Sequence, residues 1–294
     1  MKLKYEILGE NKYYNVKEVL KAHFQISDRL ITKLKKSKQI YLNGSPVYVT
    51  EKINLGDIIE VNIDFDEVSD NIVPTKMSLD ILLEDEALLI VNKPAGIPVH
   101  PSQNHYTNSL SNGVKYYFNQ NNINKKIRPV NRLDKDTSGI VIFAKNEYIQ
   151  EALVKQMKNN YFKKEYVTVL EGNLNKKSGT INAPIARKPG SIMEREISKV
   201  GETAISHFEL LENYKDYCIV KYTLETGRTH QLRVHSKHIG HPIVGDTLYG
   251  NSSSLIARQA LHAYKISFIH PLSKKQIILQ APIPDDMQIF NIKV

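Results

Sequence analysis

The run Ile140-Val141-Ile142-Phe143-Ala144 is apolar throughout and short, a pattern that suits a buried strand. Just before it stands Arg132-Leu133-Asp134-Lys135-Asp136-Thr137-Ser138-Gly139, a stretch rich in turn formers. Asp134 is therefore expected on a loop delivered by a stiff strand, a usual place for catalytic groups. Arg132, two residues earlier, could contact a phosphate or a base edge. The same residues also suit an Asx-turn, with Asp134 or Asp136 only capping local backbone.

The chain has 294 residues, room for one large domain and a small one. Its hydrophobic content of 41% supports a substantial core. The formal charge of +9 and a pI near 9.3 make nucleic acid or an anionic membrane surface the natural partners. The single cysteine, Cys218, excludes a disulfide framework and a cysteine-based zinc site. No apolar run is long enough for a transmembrane helix, so no membrane span is expected. The start Met-Lys-Leu-Lys-Tyr-Glu lacks the apolar stretch of a signal peptide, which makes the cytoplasm the expected location.

Residues 16–38 have helical spacing, and Ser27 with Asp28 reads as a second helix start. On that second helix Arg29, Lys33 and Lys36 fall at i, i+4 and i+7, which places three cations on one face. Ile40-Tyr41-Leu42 and Val47-Tyr48-Val49 flank Asn43-Gly44-Ser45-Pro46, a hairpin signal. Ile59, Val61, Ile63 and Phe65 alternate with polar residues, as in a half-buried strand. The polar stretch 66–76 reads as a linker. Beyond it, Leu88-Leu89-Ile90-Val91 reads as a buried strand ending at the turn Asn92-Lys93-Pro94-Ala95-Gly96. Asn146 can cap a helix carrying Ile149, Leu153 and Met157 on one face. Strands are expected within 161–171, from Cys218 to Leu224, and twice in the tail. Together they predict an α+β chain with a large, mostly antiparallel sheet and flanking helices.

Some charged clusters are open to more than one reading. Arg187, Lys188, Arg195 and Lys199 could follow an RNA backbone or be solvated, and Glu194 and Glu196 cut their local charge. His230, His235, His238 and His241 suggest a metal, but Arg228, Arg233 and Lys237 crowd the same segment, so no metal is expected. A helix ending at Gly240 accounts for them.

Arg-Leu-Asp-x-x-Thr-Ser-Gly at 132–139 resembles the central motif of the RluA family of pseudouridine synthases. Thr226-Gly227-Arg228-Thr229-His230-Gln231-Leu232-Arg233-Val234-His235 resembles its second main motif, and Lys164-Glu165-Tyr166-Val167 its tyrosine strand. The family order of blocks is kept. One position departs: Asn131 stands where the family usually has histidine. The resemblance implies a catalytic domain over 79–294, a linker over 67–78 and an S4-like RNA-binding module over 1–66. In that module the Arg29, Lys33 and Lys36 face would clamp phosphate, or else be a solvated face. The resemblance further implies that Asp134 is catalytic and that Arg228 pairs with it and keeps it ionised. It implies that Tyr166 stacks on the target base and that Arg132 fills the place the base leaves.

The implied reaction breaks C1′–N1 of a uridine, turns the uracil and joins C1′ to C5. It has no net redox change and no group donor, so no cofactor is expected. The implied partner is structured RNA, 23S ribosomal RNA first and transfer RNA as the alternative, met by a monomer. Two other classes fit part of the pattern. A glycosidase or nucleosidase would use two carboxylates, here Asp134 and Asp136. A catalytically silent RNA-binding protein would need only the basic N-terminal part.

Overall fold

The computed structural model describes residues 1–9, 13–67 and 72–294, so part of the expected linker lies outside the described residues. The chain begins with β1 (Lys2–Glu6), whose Leu3 and Tyr5 alternate with charged residues. Asn15 caps the short α1 (Val16–Glu18), which runs on into a π-helical turn, Val19–His23. Ser27 caps α2 (Asp28–Lys36) by accepting from the Leu30 amide. Then come β2 (Ile40–Leu42), β3 (Ser45–Pro46) and β4 (Ile58–Asn62), in the sheet order β1-β4-β2-β3.

The hairpin differs from its expected second arm. Asn43 and Gly44 both have positive φ, 51° and 81°, as a two-residue primed turn requires. That turn sets Ser45 against Leu42 and Pro46 against Tyr41, and the Val47 amide donates to the Ile40 carbonyl at 3.1 Å, so the pairing begins at Ser45 and reaches only the first residue of the expected arm.

The larger part is built on β5 (Asp80–Glu84), β6 (Leu88–Lys93), β7 (Ser138–Ala144), β8 (Lys163–Glu171) and β9 (Ser178–Asn182). A small ribbon, β10 (Ile185–Arg187) with β11 (Arg195–Ile197), precedes β12 (Ile205–Asn213), β13 (Tyr217–Leu224), β14 (Leu261–Ile269) and β15 (Gln276–Gln280). The helices are α3 (Leu110–Gln120), α4 (Glu147–Lys158), α5 (Gln231–His238) and the short α6 (Asp285–Gln288). The large sheet runs β5-β6-β7-β14-β8-β13-β12-β9, with β15 beside β14. Its pairings are antiparallel except β7 with β14.

β7 shows how the sheet is buried on both sides. Val141 and Phe143 join a core with Leu110, Val114 and Phe118 of α3. Ile140, Ile142 and Ala144 join a second core with Ile149 and Leu153 of α4. A continuous apolar run is what a strand covered on both faces needs. Gly139 fits this crowding: its φ is 116°, and a Cβ there would lie 2.2 Å from the Ala263 carbonyl oxygen of β14.

The cationic face of α2 is not free. Arg29 reaches Glu147 of α4 at 2.6 Å and Glu151 at 3.8 Å. Lys33 reaches Glu67 at 2.6 Å and Glu147 at 3.3 Å. Arg29 and Lys33, expected to clamp phosphate, here pair with protein carboxylates, and the Arg29 side chain stays largely exposed. Lys36 stays exposed. Glu67 is no solvated linker residue either, because Arg128 grips it with two bonds of 2.6 and 2.8 Å.

Candidate active site

Asp134 lies just before β7, on the expected loop. Its carbonyl accepts from the Thr137 amide at 3.1 Å, which closes a turn. The loop is pinned from beneath. Lys93, fully buried at the end of β6, donates to the carbonyls of Pro94, Ile97 and Lys135, each at 2.8 Å. Burial pushes its ammonium down to about 7, against the pull of Asp136 and Asp134. Arg258 donates to the Asp136 carbonyl at 3.0 Å and is held by Asp286. Gln259 donates to the Thr137 hydroxyl at 3.2 Å.

The guanidinium facing Asp134 belongs to Arg233, not Arg228. Arg233 Nη1 stands 3.6 Å from Asp134 Oδ2. Its other two donors meet Asp246 at 2.7 Å each, a bidentate grip on a fully buried carboxylate. Burial works against the Arg233 charge, and the Asp246 contacts more than offset it, so its pKa is raised. The Tyr249 ring lies 5.1 Å from the guanidinium carbon. Arg228 instead pairs with Glu202 and donates to the Thr203 carbonyl at 2.9 Å. The reason is local. Gln231 accepts from the Arg228 amide at 2.9 Å and from Thr226 at 2.8 Å, which turns the 226–230 loop before α5 begins. That turn points Arg228 to the rim and leaves Arg233, inside the helix, to face the carboxylate.

His230 ends the loop in the left-handed region, φ 57°, with Nε2 3.9 Å from Asp134 Oδ2 and Nδ1 2.8 Å from the Tyr249 hydroxyl. Burial lowers its pKa despite the nearby Asp134, so the imidazole is neutral at neutral pH. His235 and His241 turn elsewhere, to the carbonyls of Ala183 and Glu171.

These groups open onto a cavity of about 660 Å³ that also touches Arg132, Lys164, Tyr166, Arg228 and Leu261. Tyr166 of β8 is buried, and burial, then the Asp134 charge, raises its pKa, so the phenol stays protonated. Arg132 is exposed at the mouth. Lys164 has no carboxylate partner among the described residues, and burial lowers its pKa. Its Nζ would lie 3.2 Å from a Cβ on Gly227, so it stands against the arginine loop. Asn131 also borders the cavity, but its side-chain amide is committed to β7. Its amide donates to the Ile140 carbonyl and accepts from the Ile142 amide, both at 2.9 Å, as a neighbouring strand would.

The structure thus gathers Asp134, Tyr166, Arg132 and Arg228 at one cavity and sets Arg29, Lys33 and Lys36 apart from it. Sequence reasoning missed Arg233, Asp246, Lys93, Arg258 and Lys164. For Arg233 a signal existed: it lies three residues after His230, on the same helical face.

A family model described as RNA pseudouridylate synthase matches residues 87–238. The chain is 40% identical over 272 residues to the Uncharacterized RNA pseudouridine synthase YhcT of Bacillus subtilis, covering 92% of this chain and 90% of that protein. It is 37% identical to the Ribosomal large subunit pseudouridine synthase D of Neisseria meningitidis serogroup A, covering 86% and 71%. Among solved structures it is similar to Human RNA Pseudouridylate Synthase Domain Containing 1, with a TM-score of 0.58 and 25% identity over 70% of this chain and 83% of that one. The chain belongs to the RluA family of RNA pseudouridine synthases, which are isomerases.

Proposed function

We propose that the chain isomerises uridines of large-subunit ribosomal RNA, acting in the cytoplasm as a monomer and without a cofactor. The observation that carries the reading is one carboxylate, Asp134, 3.6 Å from a guanidinium that Asp246 clamps in place. The cavity beside it, about 660 Å³, falls in the range of small-ligand clefts, roughly 300–1,000 Å³. Relatives named ribosomal large subunit pseudouridine synthase D support the choice of RNA. The target nucleotide leaves its stack and enters the cavity. Asp134 engages the sugar while the C1′–N1 bond breaks. Arg233 keeps that carboxylate ionised and aimed. The Tyr166 ring lies against the uracil as it turns, and C1′ joins C5, whose hydrogen leaves as a proton while N1 takes one up from solvent. Arg132 at the mouth takes the vacated place in the stack, and Lys164 meets a phosphate of the bound nucleotide. Arg228, at the rim, contacts the RNA backbone. Residues 1–66 act as an S4-like RNA-binding module.

The test uses RNA tritiated at uridine C5, taken from cells lacking the protein. Wild type is expected to release tritium from large-subunit ribosomal RNA, and Asp134→Asn to release none. Release from transfer RNA alone would replace the proposed substrate. Release by both proteins would move the chemistry to another residue. Free uracil among the products would indicate a nucleosidase instead.

A further inference from the structure

A second cleft, of about 820 Å³, lies between α4 and the N-terminal part of the chain. It is lined by His23, Phe24 and Gln25, by Tyr161, His270 and Lys274, and by residues of α4. Val154 and Lys158, at the C-terminal end of α4, border both this cleft and the catalytic cavity. The two hollows therefore meet over one exposed helix end. The cleft is tied across: Lys155 donates to Gln25 at 2.8 Å, and Ser27 donates to Glu151 at 2.8 Å.

Its charge is one-sided. Lys155, Lys158 and Lys274 have no carboxylate partner among the described residues. Lys155 meets an amide and Lys274 the Pro271 carbonyl at 2.6 Å. The acid in the cleft, Glu151, already holds Ser27 and lies 3.8 Å from Arg29. Tyr161 is 68% exposed beside these lysines. Unpaired cations interleaved with an exposed ring suit a strand of alternating phosphates and flat bases. The 12 residues of α4 span about 18 Å, the length of about five stacked nucleotides.

We propose that this cleft is an RNA track, which carries the nucleotides flanking the target from the catalytic cavity across α4 to the N-terminal part of the chain. The proposal rests on the reading of the cavity as an RNA site. It also changes how the N-terminal part meets RNA: through the end of its π-helical turn and through Arg29, which lines the cleft while pairing with Glu147.

The test compares the full chain with Lys155→Glu/Lys274→Glu and with Tyr161→Ala. The probes are fluorescent oligouridylates of five and fifteen nucleotides, read by anisotropy across a salt series. Wild type is expected to bind the longer probe more tightly. The charge-reversed variant should lose about tenfold on the longer probe and little on the shorter. Its slope of log affinity against log salt should be shallower by about 1.4, for two single-strand phosphate contacts. Tyr161→Ala keeps the charges, so it should weaken the longer probe with the slope unchanged. In the tritium assay on ribosomal RNA, the charge-reversed variant should raise KM about tenfold and keep kcat. Equal affinity and slope for wild type and both variants on the longer probe would overturn the track. If wild type releases no tritium while the cleft variants still lose affinity, the track stands and the isomerase reading fails.

Discussion

Replacing Arg233 by Met separates the two arginines of the second motif. The Arg233–Asp134 contact is 3.6 Å, which at an effective dielectric near 20 corresponds to about 4–5 kcal/mol of attraction. Asp246 holds the opposite charge on the far side of the guanidinium, and the Asp134 side chain is 26% exposed, so about half of that survives. A loss of about 2 kcal/mol from the transition state lowers kcat/KM roughly 30-fold. The same variant strands the buried Asp246 carboxylate, at a cost of about 3–5 kcal/mol in stability. The double variant Arg233→Met/Asp246→Asn removes the stranded charge and keeps an acceptor for the Leu248 and Tyr249 amides. It should recover most of the melting temperature but none of the activity. Arg228→Met breaks a half-exposed pair with Glu202, the sort of contact worth at most about 1 kcal/mol, and kcat should fall less than about threefold. The measurements are tritium release under kcat and kcat/KM conditions, with a thermal melt of each variant. The reasoning is refuted if Arg228→Met loses 30-fold while Arg233→Met keeps its rate.

Three further outcomes follow from how the Asp134 loop is held. Asn131→Leu removes two buried hydrogen bonds to β7 and should cost about 2–3 kcal/mol in denaturant melts, whereas Asn131→His, able to donate and accept, should keep kcat within about threefold. Gly139→Ala forces a methyl to within 2.2 Å of the Ala263 carbonyl oxygen at positive φ, so the variant should melt well below wild type or fail to fold. His262 is buried beneath the Asp134 loop, with Nδ1 2.9 Å from the Ser138 hydroxyl, and burial pushes its pKa down to about 4. Between its unfolded value near 6.5 and about 4 the unfolded chain takes up a proton that the folded chain refuses. Stability is therefore lost as pH falls through that window, by about 3 kcal/mol in all. His262→Gln should flatten that part of a pH series of denaturant melts, and an unchanged slope would remove His262 from the account.

The parts of this chain that were legible in the sequence are those whose causes are local. Ile140–Ala144 is apolar at every position because β7 is covered on both faces, and no distant residue is needed to see it. Asn146 caps α4 through the Ile149 amide, three residues away. The Asn43-Gly44 turn is visible, yet the arm beyond it begins two residues earlier than its apolar residues suggest, because pairing depends on register as well as on apolar residues. The choice between Arg228 and Arg233 was not legible. Both lie in one motif, and what selects Arg233 is Asp246, thirteen residues on and brought underneath by the fold. Lys93 was equally hidden. Its role depends on the Lys135 carbonyl, 42 residues away, meeting the end of β6.

The α2 cations show a different limit. Arg29 and Lys33 are spaced four apart, as two phosphate contacts on one helix face would be. Glu147 and Glu151 are also spaced four apart, on α4, so each helix presents a stripe that fits the other. A basic stripe has the same spacing whether it meets phosphate or a carboxylate stripe elsewhere in the chain, so the stripe alone cannot name its partner. The acidic stripe on α4 is the second signal, and it was present in the sequence. With Glu67 added, Lys33 and Arg128 meet on one buried carboxylate, and the N-terminal part is held to the large-sheet part by ion pairs as well as by apolar packing. These pairs tie α2 to α4 beside the cleft where Lys155, Lys158 and Lys274 have no carboxylate partner among the described residues.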